Sequence, residues 1–321
     1  MAPFDPGRQR PRAGLVEQGT APSLKRELAL LMLLASLWGL SFSWIKVAVR
    51  TIPPITAICA RTLLASSCLL LVMRARQVRF PRDRATLSLL VVQACLNSAV
   101  PFVLVAWGEE HVSAALATIL GSMSPIFAAL ITGTVTRHEN LSVRKCAAVA
   151  GGLVGVALIV GKDALSGLHA NVAAELAIVA ASCCYGSAAV FGARFKSHDP
   201  LVPATGSLAA GALILFPFSL AIDRPWTLHP SVDSLVALAG LAILSTALTF
   251  LLYFRLIATL GTLGASAQAY LRVPVGVGLA MLWFGDRLPA GAWIGMALVI
   301  VSVAGMTARK LPLPFEASRP A

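Results

Sequence analysis

Two arginines stand where arginine is costly. Arg61 lies within "ITAICARTLLASSCLLLVM" and Arg272 within "QAYLRVPVGVGLAMLWF", stretches otherwise apolar over about the length needed to cross a hydrocarbon core. On insertion scales a charge at the centre of a spanning helix costs about 2.5–3.5 kcal/mol, so such a cation faces the bundle interior or an aqueous cavity. A guanidinium in that setting can grip a carboxylate through two parallel hydrogen bonds, which is chemistry for a small anionic or zwitterionic solute. The opposing reading is that each arginine caps the carbonyls of a broken neighbouring helix, a need that any buried break creates. Arg61 is about six residues into its run, roughly 9 Å of helix rise, and Arg272 is near the midplane. Lys46 lies close to the outer end of its run and can snorkel to the interface.

Further polar groups fall on faces that could join these two. Gln268 shares one side of a helix with Arg272, while Tyr270 points elsewhere. Gln93 and Asn97 are likewise four apart. Trp38 flanks a small, polar stripe of Ser36, Gly39, Ser43 and Lys46, and a later run offers Ser245, Thr246, Thr249 and Tyr253. Together these would line a cavity with two cations, several amides and aromatic walls; taken singly, such groups more often bind neighbouring helices than substrates. Pro125 and Pro274 each remove a backbone hydrogen bond within a run and kink it. Such kinks either let helices rock or simply fix curvature.

Other chemistry is poorly provided for. The acids sit in tails, loops or helix ends; Glu175, about three residues into its run, is the best candidate for proton coupling, followed by Glu109 and Glu110. Facilitated or exchange-driven transport is therefore the expectation. His111, His138, His169, His198 and His229 alternate between the two sides of a membrane, so they share no metal site. The six cysteines read as small buried hydrophobes rather than a disulfide framework. No nucleotide-binding glycine loop is present. The reading is of no enzyme, no cofactor and no metal.

The elements that must position these residues are long apolar runs. The chain is 57% hydrophobic and 12% charged, with a mean hydropathy of +0.81. Spans are expected near 28–49, 55–73, 86–108, 112–134, 145–161, 172–193, 201–222, 232–254, 262–284 and 288–308. Most of the 26 cations then fall on one side, leaving Arg50, Lys162, Arg224 and Arg287 on the other. This bias places both termini in the cytoplasm. It also accounts for the net charge of +12 without nucleic acid. Residues 1–27 read as a disordered cytoplasmic tail and 309–321 as a second cytoplasmic tail.

A displacement of 147 positions lays Trp38 on Tyr185, Gly39 on Gly186, Pro53 on Pro200 and Glu139 on Asp286; one of 149 lays Pro125 on Pro274. Five spans per half is an odd number, so the second half must enter the membrane from the opposite side. The predicted fold class is all-α: a polytopic membrane protein with ten transmembrane helices built as two inverted five-helix repeats, 28–161 and 172–308, joined by a periplasmic linker at 162–171. Neither Arg61 nor Arg272 is duplicated, since they map onto Leu208 and Met123. That favours a role that is asymmetric by nature. Gly151 with Gly155, and Gly291 with Gly295, allow close helix contact either within the chain or in a homodimer.

The segments "LWGLSFSWIKVAVRTIPPITAICAR", "NSAVPFVLVAWGEEHVSAALATILGSMSPIFAALI" and "STALTFLLYFRLIATLGTLGASAQAYLRVPVGVGLAMLWFGDRL" resemble the two EamA-type repeats of the drug/metabolite transporter (DMT) superfamily over roughly 28–308. The resemblance implies a multi-pass permease of the inner membrane, in contact with lipid, that commonly exports amino acids, related metabolites or drugs. The expectation is export of a small polar or zwitterionic metabolite by alternating access. The alternatives are an exporter of drugs or lipophilic cations on the same fold, or a non-transporting membrane partner protein.

Overall fold

A computed structural model of the chain describes residues 24–134, 169–253, 268–288 and 290–307, with positions 147, 150–152, 154, 155, 158, 255, 256 and 259. The elements formed by the described residues are all helices, with no strand among them. Seven helices are long and apolar enough to cross a membrane, numbered here α1 (Lys25–Ala48), α2 (Pro54–Ala75), α3 (Arg84–His111), α4 (Ala114–Gly133), α5 (Asn171–Phe195), α6 (Leu201–Asp223) and α7 (Val232–Tyr253). Two further helices, α8 (Gln268–Phe284) and α9 (Ala290–Thr307), carry shorter apolar stretches. Most of the span expected at 145–161, residues 1–23 of the first tail, the second tail from 309 and most of the linker lie outside the described residues. Residues 24–27, expected in the disordered tail, instead form the start of the first helix, where Glu27 pairs with Arg255.

Local sequence sets the helix ends. Asp83, Ser113 and Ser231 each accept a hydrogen bond from a backbone N–H three residues on, satisfying donors that the first turns of α3, α4 and α7 leave orphaned. Pro54 starts α2, where its missing N–H costs nothing. That helix ends at Gln77, held left-handed at φ 56° while Val78 N–H donates to Met73 O and Gln77 N–H to Arg74 O. Three segments are π-helical: Cys95–Ala99 within α3, Ser219–Asp223 at the end of α6 and Ile243–Leu248 within α7. Large side chains such as Leu71, Leu213, Leu282 and Val301 stand exposed on helices, as expected where the solvent is hydrocarbon.

Ends that an alternating up-and-down path puts on one side are the ends that touch. Lys46 meets Val112, Thr56 meets Asp223 and Ala115 meets Asp286; at the opposite end Glu27 meets Arg255 and Thr86 meets His198. Packing between the halves comes in exchanged pairs. Helix α1 packs on α8 while α5 packs on α4; α3 packs on α5 while α1 packs on α7; α2 packs on α7 while α3 packs on α6. The helices α2 and α6, which correspond to one another, pack on each other.

Glycine permits the tightest of these crossings. A Cβ on Gly39 would lie 2.9 Å from Gly276 N and 3.0 Å from Arg272 O in α8, and one on Gly186 would lie 2.7 Å from Ala128 N in α4. Gly39 and Gly186 are the pair that the 147-residue displacement superimposes. The glycines spaced four apart also meet inside the chain: a Cβ on Gly155 would lie 3.0 Å from Gly295 O, and one on Gly291 would lie 3.4 Å from Leu158 O. These faces are thus occupied by each other.

Candidate functional site

Arg61 sits at the meeting of α2, α3 and α7 with 5% of its surface exposed. Its Nε donates to Thr246 Oγ1 at 3.0 Å, and its guanidinium carbon lies 3.8 Å from the centroid of the Phe102 ring. Thr246 is available because it lies in the π-helical part of α7, where its own hydroxyl donates to Leu241 O five residues back. The Phe102 ring in turn contacts Tyr185 of α5, with centroids 6.2 Å apart.

Arg272 sits against the break in α4. The helix stops at Gly121 and restarts at Ser124, and Pro125 lacks the N–H that would have bonded Gly121 O. Arg272 Nη2 supplies the missing donor, 3.3 Å from Gly121 O and 3.4 Å from Ser122 Oγ, while its Nε is buried without a partner. The helix-capping geometry is therefore present for this arginine, with its buried Nε–H left over. Pro274 lies inside α8, which runs on through it.

Tyr185 stands within electrostatic reach of both arginines. Nothing in its sequence position marks it as a site residue except that it is the repeat counterpart of Trp38. Trp38 packs on Tyr253, centroids 5.5 Å apart, beside Leu271. This aromatic pair joins α1 to α7 as the Tyr185–Phe102 pair joins α5 to α3, although the 147-residue displacement lays Phe102 on Thr249 rather than on Tyr253. Gln268 is half-buried at the start of α8 with Oε1 unpartnered, and the side chain of Tyr270 lies outside the described residues. Gln93 faces α5, donating from Nε2 to Ala188 O at 3.4 Å with its Oε1 buried and unpartnered. Asn97 is half-buried within the π-helical part of α3. The structure thus gathers Arg61, Thr246, Phe102, Tyr185 and Arg272, sets Trp38 with Tyr253, and holds Gln93 on a separate contact.

Two groups differ from expectation. Lys46 does not snorkel: its Nζ donates to the carbonyls of Glu109 and of Val112, the latter at 2.8 Å, closing the end of α3. Glu109, at the end of α3, is not a solvated acid: its side chain is fully buried and neither carboxyl oxygen has a hydrogen-bond partner among the described residues. Glu175, in the second turn of α5, is also buried. A cavity of about 230 Å³ opens between α1, α7 and α8, lined by Trp44, Val47, Asp233, Val236, Ala237 and Trp283, and contains none of these residues. Among the described residues no cluster of histidine, cysteine and acid side chains could hold a metal ion.

The pattern of the EamA-like transporter family matches residues 26–161 and again 172–308. A probable terminal-alkyne amino-acid exporter of Streptantibioticus cattleyicolor is 27% identical over 92% of this chain and 98% of its own length. A probable amino-acid metabolite efflux pump of Escherichia coli K12 is 27% identical over 89% of this chain and 97% of its own. The uncharacterised inner membrane transporter YedA of the same bacterium is 22% identical over 87% and 89%. A solved crystal structure of a protein superimposes with a TM-score of 0.60 at 16% identity, covering 89% of this chain and 99% of that one. It shares the fold.

Proposed function

The chain belongs to the EamA-like transporter family and is a membrane transporter rather than an enzyme, and from that premise we propose that it exports a small polar or zwitterionic metabolite, an amino acid or related carboxylate. The observation that carries this reading is the placement of buried Arg61 and half-buried Arg272 in the bundle, both within electrostatic reach of Tyr185. Arg61 is engaged only by a neutral hydroxyl and a ring face, and Arg272 keeps an unpartnered N–H. A carboxylate would complete both, since charge-assisted hydrogen bonds are the strong ones. The names of two relatives, an amino-acid exporter and an amino-acid metabolite efflux pump, point to the same class.

The architecture we propose has ten spans in two inverted halves, 28–161 and 172–308, in the inner membrane with both termini in the cytoplasm. Supporting it are the exchanged helix pairs and the two glycine crossings, which a two-fold relation between halves would produce. Rocking of one set of helices against the other, with α4 hinging at its break, then alternates access to the arginines.

The test is counterflow in proteoliposomes with labelled amino acids, carboxylates, nucleosides, sugars and a lipophilic cation, on the wild type and on Arg61→Gln and Arg272→Gln. Exchange of carboxylate-bearing solutes, lost in a folded arginine variant, is the expected result. Movement of the lipophilic cation alone would instead identify a drug exporter with structural arginines.

A further inference from the structure

The cavity between α1, α7 and α8 has no part in that reading, since neither arginine lines it. Its chemistry is nonetheless specific. Trp44 and Trp283 give it two indole walls and Asp233 a carboxylate, with Val47, Val236 and Ala237 completing the lining. Helical spacing explains the convergence. Asp233, Val236, Ala237 and Gly240 share one face of α7, and Trp44 and Val47 are three apart on α1. The Trp44 ring lies against the bare backbone of Gly240, which is how so large a side chain fits between these two helices. Ser234 Oγ donates to Val47 O at 2.9 Å and Ser231 N–H to Thr51 Oγ1 at 3.1 Å, holding the end of α1 against the start of α7.

Depth and exposure say what meets this cavity. It lies at the ends of α1 and α8 and the start of α7, the level at which a spanning helix passes from hydrocarbon to headgroups. Trp283 is 58% exposed and its neighbour Leu282 83%, with Val232 and Val236 also exposed, so the mouth of the cavity faces lipid. Asp233 is exposed, and its carboxylate makes no hydrogen bond or ion pair among the described residues. An unpaired carboxylate between two indoles suits an ammonium, which gains both from the anion and from the ring faces. Arg50 stands at the rim, three residues beyond Val47, its guanidinium carbon 5.6 Å from the centroid of the Phe284 ring next to Trp283. A cation at the rim and an acid within complement the two charges of one headgroup, phosphate and ammonium in turn.

We propose that this cavity is a lipid site that seats the headgroup of a phospholipid bearing a primary ammonium: Asp233 accepts N–H bonds from the ammonium, Trp44 and Trp283 enclose it, and Arg50 takes the phosphodiester. The acyl chains then lie along the exposed apolar flank at Leu282 and Val236. A primary ammonium brings three N–H donors to Asp233, whereas a trimethylammonium brings charge alone and a glycerol headgroup brings neither. The bound lipid bridges α1 of the first half to α7 and α8 of the second. The site does not depend on which solute the arginines take.

The experiment is native mass spectrometry on the full chain, purified in detergent, with phosphatidylethanolamine, its monomethyl and dimethyl derivatives, phosphatidylcholine and phosphatidylglycerol, all with the same acyl chains. Affinity should fall as each N–H is replaced by methyl, by roughly tenfold from the primary amine to the choline, the worth of one charge-assisted hydrogen bond. Asp233→Asn should remove that difference and Asp233→Glu should keep part of it. Trp283→Leu should weaken every amine-bearing lipid about two- to fivefold. Leu282→Ala, beside Trp283 but outside the cavity lining, should leave the headgroup order unchanged. Thermal melting of each variant with phosphatidylcholine reads folding, and the methylation series on the wild type and on Trp283→Leu carries the test should Asp233→Asn not fold. Equal affinity for all headgroups, preference for phosphatidylglycerol, or a primary-amine preference that survives Asp233→Asn overturns the proposal. Soluble O-phosphoethanolamine binding as tightly as the lipid would do the same, by making the site one for a water-borne amine. None of these results bears on the transport reading, which counterflow tests separately.

Discussion

Arg272 has two candidate duties, and the break in α4 allows them to be separated. Pro125 leaves Gly121 O without its helical donor, and Arg272 reaches that oxygen at 3.3 Å and Ser122 Oγ at 3.4 Å. Both are longer than the usual 2.7–3.2 Å for N–H donors, so the bond belongs at the weak end of the charged range, about 1.5 kcal/mol. Arg272→Gln should therefore lower stability by about that amount in the Pro125 background. In Pro125→Ala the backbone donor is restored, and the same substitution should cost little; the difference is a coupling energy of about 1 kcal/mol. Denaturant titration of the four proteins in mixed micelles reads the stability cycle, and counterflow reads transport in parallel. An equal cost of Arg272→Gln in both backgrounds would refute the capping argument. If transport also survives Arg272→Gln in the Pro125→Ala background, the arginine is scaffold alone and the proposed site loses one of its cations.

Four further outcomes follow from packing and capping. Gly39→Ala should destabilise by about 1–3 kcal/mol, because the new methyl meets α8 backbone that cannot rotate away, whereas Gly278→Ala in α8, with open space around its Cβ position, should be neutral or mildly stabilising in the same melting assay. Gly240→Ala should displace Trp44, whose ring atom Cζ3 lies 0.8 Å from the new Cβ position, and be read as a change in tryptophan fluorescence. Gln77→Gly should stabilise by about 1 kcal/mol in a thermal melt, since Gln77 holds a left-handed conformation on an exposed turn. Hydrogen bonds from Thr86 hold the Asp83 carboxyl below the usual carboxylate range, so its cap stabilises α3 at neutral pH and is lost only as pH falls through that lowered value; Asp83→Asn should flatten this acid limb of the melting-temperature profile.

The helices themselves were legible because a bilayer permits few alternatives: every long apolar run must satisfy its backbone internally. Arg61 and Arg272 stood out by their desolvation, and the spaced glycines by size. What hydropathy could not convey was lateral neighbours. Glu109 reads as a span end, and only the closing of α1, α5 and the Asp286 turn over it makes it a buried acid. Lys46 reads as a snorkelling side chain because the carbonyls it closes lie 63 and 66 residues away. The open acceptor at Gly121 O could be read from Pro125, but not the donor that fills it, which comes from the other half of the chain. The π-helical segments left no mark in composition, yet one of them presents Thr246 to Arg61.

The exchanged pairing of helices also bears on how the protein is made. Helix α1 finds its main partner in α8, which starts at Gln268, more than 240 residues after α1 begins. At synthesis rates of about 5–20 residues per second, α1 waits roughly 10–50 s in lipid before α8 is even complete. Through that interval the bare backbone at Gly39 faces acyl chains or an insertion chaperone rather than Gly276. A ribosome stalled before α8 would therefore release a chain whose α1 is already inserted and still unmatched.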